Sequence, residues 1–87
     1  MSVGVQLKTY LNSFIRAATD LPSTKETANK FREFYKERTQ KEIDSVKTDK
    51  AKEKYQTIQD TGLKFIDNHN ESVYFACATY KTLQTAK

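Results

Sequence analysis

The sequence predicts an all-α fold. Apolar residues recur at helical spacing in four successive stretches, capping residues punctuate the boundaries between them, and no stretch alternates apolar and polar residues as a half-buried strand would. With only two glycines and one proline in 87 residues, there is little to break helices once they start.

The first stretch carries Val3, Leu7, Leu11, Phe14 and Ala18 on one face, with Ile15 beside them. Asp20-Leu21-Pro22 closes it, because proline drives the residue before it out of the helical region. Ser23 and Glu26 then stand at capping-box spacing and open a second helix. On that helix Ala28, Phe31 and Tyr35 share a face, after which only Ile43 and Val46 interrupt a charged run. The distal half is therefore expected to project past the core or to lie against a partner. Thr48 offers the next N-cap, although a helix continuous through this point also fits the pattern. The third stripe is Ala51, Tyr55, Ile58, Gly62, Phe65 and Ile66. A glycine on such a stripe costs about 1 kcal/mol against alanine, so it marks a place where another group must approach closely. Asn68 with Glu71, or Asn70 alone, caps a fourth helix bearing Val73, Ala76, Cys77, Tyr80 and Leu83. The expected helices are about 3–19, 24–47, 50–67 and 70–86, in one domain over residues 1–87.

Composition bounds the function. Charged residues are 30% and hydrophobic residues 37% of the chain, with a mean hydropathy of −0.80, which is polar for so small a core and points to a surface completed by a partner. The ten phenylalanines and tyrosines argue against disorder. Net charge is +4, but acids and bases interleave through residues 25–54, as on a solvated helix face. An acidic protein partner suits this surplus better than nucleic acid does. No run is apolar enough to span a membrane, and the N-terminal residues lack the pattern of a signal or transit peptide.

Catalytic patterns are missing. The lone histidine, His69, falls in an expected turn, and no second histidine or cysteine stands at metal-ligand spacing. Gly4 and Gly62 cannot make a phosphate-binding loop. Cys77 lies on an apolar stripe and reads as a small buried hydrophobe, compatible with a reducing compartment. The carboxylates sit on charged faces, where nothing tunes them for acid–base work. The chain is therefore expected not to be an enzyme and to bind no metal.

Two features suit binding. Lys25, Asn29, Arg32 and Lys36 form one strip of the second helix at 100° per residue, bordering the Phe31 and Tyr35 face. Such a strip serves either an acidic helical partner or as an amphipathic border whose lysines and arginines snorkel. Phe34 and Phe75 point away from the stripes, which favours contacts with another subunit, as does the 43–46 region.

Residues 7–66 resemble the LYR-motif family, the complex I LYR-type proteins of mitochondria. Tyr10-Leu11-Asn12-Ser13-Phe14-Ile15-Arg16-Ala17-Ala18 is similar to that family's L-Y-R-x-F-L-R-x-A start, and Asp20-Leu21-Pro22-Ser23 to its short Pro/Ser turn. Phe31-Arg32-Glu33-Phe34-Tyr35-Lys36-Glu37-Arg38 resembles I-R-x-x-F-R-x-N, and Gly62 with Leu63 and Phe65-Ile66 resembles a G-x-x-x-L ending. Asn12 replaces the arginine of the signature tripeptide, and Tyr35 its distal phenylalanine. The resemblance implies an antiparallel three-helix bundle with an added C-terminal helix. It implies a non-catalytic accessory or adaptor subunit of a respiratory-chain or related complex, on the matrix side of the mitochondrial inner membrane. It also implies docking of acyl carrier protein, whose acyl-phosphopantetheine would enter a tunnel at Leu11, Phe14 and Tyr35. Arg32 and Lys36 would face the carrier's acidic helix, with Lys25 and Arg38 nearby and Phe75 against another subunit. No cofactor of its own is implied. Two competing readings are a free-standing helical regulator of a protein or nucleic acid and a DNA-binding helical domain. The second lacks the glycine-containing tight turn of a helix-turn-helix.

Overall fold

A computed structural model describes residues 3–18 and 20–85. Four helices account for almost all of them: α1 (Val3–Ala17), α2 (Thr24–Ser45), α3 (Asp49–Asn68) and α4 (Asn70–Thr85). Among the described residues there is no strand. Thr19 and Ala86, the expected ends of α1 and α4, lie outside the described residues, as does the side chain of Val3.

The capping signals act where the sequence places them. Ser23 accepts a hydrogen bond from the Glu26 amide at 3.2 Å, and Thr48 accepts one from the Ala51 amide at 3.2 Å. Each satisfies one of the amides that a helix start leaves without a partner. Thr48 thus separates α2 from α3, with Val46 in extended conformation before it. α1 ends at Ala17, ahead of the proline turn. Its terminal Ala18 carbonyl is taken by the Lys81 ammonium of α4 at 2.5 Å, a cation placed at the negative end of the helix dipole. Neither asparagine caps α4 as expected. His69 alone separates α3 from α4, and its carbonyl accepts the first α4 bond, from Val73.

α2 is the spine and packs most extensively on α3, then on α4. Arg32 near the start of α2 meets Asp67, while Tyr35 and Thr39 further on meet Ile58 and Gln59, so the partners lie earlier in α3 as α2 advances from its first turns and the two helices run antiparallel. The ring contacts of Tyr10 with Tyr35 and Phe14 with Phe31 set α1 antiparallel to α2 by the same logic. α3 and α4 share the fewest contacts and splay from the joint at His69.

The core gathers Leu11, Phe14, Ile15, Phe31, Tyr35, Ile58, Ile66, Val73 and Cys77 from all four helices. Tyr35 is fully buried and donates its hydroxyl to the Ile58 carbonyl at 2.7 Å. Its ring lies against the α-carbon of Gly62 so closely that a β-carbon there would overlap the ring. This is the close approach that a glycine on the α3 stripe implies. Several expectations need correction. Tyr55 and Tyr80 are half-buried, while Phe65 and Leu83 are exposed although they fall on apolar stripes. Phe34 is half-buried against Phe14, with ring centroids 5.6 Å apart. The distal half of α2 does not project alone. Gln59 reaches across from α3 and donates to Thr39 Oγ1 at 3.1 Å, to the Lys36 carbonyl at 3.3 Å and to Gln40 Oε1 at 3.3 Å. Thr39 in turn donates to the Tyr35 carbonyl at 2.8 Å. The α2–α3 seam is therefore polar beyond Tyr35, and nearly all of that polarity is paired.

Candidate functional site

The splay of α3 from α4 leaves an opening that α1 only partly covers. The resulting groove has a volume of about 560 Å³ and is lined by Leu7, Lys8 and Leu11 of α1, Phe31 of α2, Thr61 and Phe65 of α3, and Ser72, Val73, Ala76 and Tyr80 of α4. That is within the range of small-ligand pockets, ~300–1,000 Å³. Its polar groups are few: the Thr61, Ser72 and Tyr80 hydroxyls and Lys8, which is the only charged side chain among the described lining residues. Phe31 forms part of the wall and is only 2% exposed. Behind it Tyr35, packed on Gly62, fills the gap between α2 and α3. Phe65 forms part of the rim. It is 41% exposed and stacks on His69, with centroids 4.4 Å apart.

A second, shallower cavity of about 450 Å³ opens on another face, between the end of α1 and the start of α2. Phe14, Ala17, Ala18, Asn29, Lys30, Glu33, Phe34 and Glu37 line it. Its charged residues, Lys30, Glu33 and Glu37, make it the weaker candidate for an apolar partner.

The residues expected to bind are not gathered in one place. Leu11 is in the wall of the large groove, Phe14 borders the second cavity, and Tyr35 is sealed between the helices and lines neither. The three do not surround a common lumen. Arg32 is engaged by Asp67, with Nε to Oδ1 at 2.9 Å, which also neutralises a carboxylate in the last turn of α3. Arg38 lies over the Phe34 ring at 4.9 Å from its centroid, a cation–π contact. Lys25 and Lys36 are exposed, so the strip consists of two open lysines and an arginine held by an acid. Phe75 is 59% exposed and packs edge-on against Tyr74. Ile43 and Val46 are half-buried.

Burial, not charge, governs the titrating groups inside. It raises the Tyr35 hydroxyl well above its ordinary value, helped by Tyr10, and pushes the Cys77 thiol up to about 11. Tyr10 is raised by burial and then by Glu42 and Tyr55, against an opposing effect of Arg38. None of these groups is poised to exchange a proton near neutrality. Among the described residues no three histidine, cysteine or carboxylate side chains come together to hold a metal ion, and no helix is long and apolar enough to cross a membrane.

The groove was not legible in the sequence because its walls come from all four helices and form only once these pack together. The one available signal was Phe65 beside Ile66, two large apolar residues that cannot both face inward. Comparison with curated proteins gives no match, and comparison with solved structures gives none either. A family model covers residues 1–87, and the chain belongs to that family, DUF6267, a family of unknown function.

Proposed function

We propose that this protein is a non-catalytic helical adaptor that binds another protein through the groove between α1, α3 and α4. The observation that carries the proposal is the groove itself, a large apolar concavity on a chain whose surface is otherwise strongly charged. Exposed apolar side chains at and beside it, Phe65 and Leu83, extend the surface that a partner would cover. Partner binding would also supply stability that a core of this size lacks.

A narrower reading follows from the LYR-type resemblance: an accessory subunit of a mitochondrial inner-membrane complex, docking acyl carrier protein. The placement of Leu11 in an apolar groove favours it. The sealed Tyr35, the Arg32–Asp67 pair and Asn12 in place of the signature arginine weigh against it. Binding to acylated carrier at low salt, lost in Leu11→Glu, is the result this narrower reading requires.

The broader proposal is tested by isolating tagged wild-type chain, Phe65→Glu and Phe75→Glu from cells that make the protein. A partner present with wild type and Phe75→Glu but absent with Phe65→Glu supports the groove. Loss only with Phe75→Glu moves the binding face to the outer side of α4 and overturns it.

A further inference from the structure

Resting on the groove reading above, we infer that the occupant of the groove is an acidic amphipathic helix of about three turns. The shape argues for a helix. On α4 the groove is lined by Ser72, Val73, Ala76 and Tyr80, and the same 100° step places Leu83 next in line. Those positions span about 16 Å at 1.5 Å per residue. A helix of about three turns has that length, and its anchors at i, i+4 and i+7 match an apolar trough of this kind. Leu83 is 59% exposed and extends the apolar line beyond the cavity, where an elongated ligand would reach it.

An acyl chain fits less well. It gains most from full enclosure, whereas Phe65 at the rim is 41% exposed and Tyr35 closes the space behind Phe31. A second copy of the chain is disfavoured by charge, since each copy carries +4 and each presents Lys8 at the same site.

Charge also sets the chemistry of the partner. Lys8 is the only charged residue among the described lining residues, and none of these is a carboxylate. On α1 the residues that line the groove are Leu7, Lys8 and Leu11, and none is acidic. A helix with an apolar face and a surplus of aspartate and glutamate on its flanks complements this surface.

The test uses the full chain. A displayed library of helical peptides, unbiased in charge, is selected on the immobilised protein. The best peptide and, separately, palmitate are titrated into isotope-labelled protein while backbone amide signals are followed. The expected peptides carry apolar residues at i, i+4 and i+7 with net negative charge. They shift amides in residues 7–11, 61–65 and 72–83, and palmitate does not. Lys8→Glu, at an exposed position that leaves the fold intact, should weaken the best peptide about tenfold, with a smaller change at high salt. Peptides of neutral or basic charge, shifts elsewhere, no selected peptide, or palmitate moving the same amides overturns the inference. So does a dimer held together through Phe65 in sedimentation. An intact response to the peptide after failure of the cellular isolation experiment separates the two proposals.

Discussion

Around Phe31 and Tyr35 the contacts of α2 are aromatic rings and branched chains, while from Lys36 to Gln40 the α2–α3 seam is closed by hydrogen bonds. Both stretches bury their inward residues: Phe31 and Tyr35 in the first, Thr39 in the second, with Gln59 facing it. The first stretch gains from removing apolar surface from water and from ring packing. The second gains little from area and depends on each polar group finding its partner, because an unpaired buried donor or acceptor costs about 1–3 kcal/mol. The comparison shows how a chain of low mean hydropathy holds a 22-residue helix to its neighbour along most of its length.

The largest expected effect is in the aromatic stretch. Phe31→Ala should lower stability by about 3–5 kcal/mol in denaturant unfolding, since a ring is lost and a hole left beneath the groove. A change below about 1 kcal/mol would mean that the core is not closed beneath the groove at that ring.

Gly62→Ala sharpens the same point through its sign. Helix propensity alone predicts a gain of about 1 kcal/mol for this substitution. The overlap of the new methyl with the Tyr35 ring predicts instead a loss of about 1–3 kcal/mol. In a Tyr35→Ala background the obstacle is gone, and Gly62→Ala should become neutral or stabilising. A double-mutant cycle showing no coupling between the two positions would break the close-approach account.

The polar stretch responds differently. Thr39→Ala or Gln59→Ala should each cost about 1–2 kcal/mol, by leaving the other side chain short of a partner. Thr39→Val combined with Gln59→Leu removes both sides at once and should cost less than the sum of the two alanine substitutions. Strict additivity would mean that the hydrogen bonds contribute nothing and that the two halves of α2 are held alike.

The smallest effect lies at alkaline pH. Burial raises the folded-state pKa of Cys77 from 9.0 to about 11, so the native state keeps its proton where the unfolded chain has lost it. The associated stability is complete below pH 9 and declines as pH rises through 11. Tyr10 and Tyr35 act in the same direction at higher pH. Cys77→Ala should flatten the decline between pH 9 and 11. At pH 8 a thiol reagent should modify the wild-type protein only as fast as it opens.

Much of the fold was legible because it rests on local chemistry. The caps at Ser23 and Thr48, the gap at Gly62 and the burial of Leu11, Phe14, Phe31 and Ile58 follow from spacing and residue type. The polar seam was not legible, because Thr39 and Gln59 are ordinary surface residues on a helical wheel until they meet each other. The exposure of Phe65 and Leu83 depends on how α3 and α4 pack against the other helices, which no periodicity encodes. The basic strip shows the same limit. The wheel aligned Arg32 with Lys25 and Lys36, but only the approach of α3 brought Asp67 to it.

The central functional claim, that the groove side of the molecule meets a partner, is tested most directly by placing a photo-crosslinking amino acid at position 65 or at position 75 in the full chain and irradiating cells that make it. Phe65 and Phe75 are both large, exposed rings, but only Phe65 lines the groove. The account predicts a discrete protein adduct from position 65 and none of comparable yield from position 75. An adduct from position 75 alone, or from neither position, would contradict it.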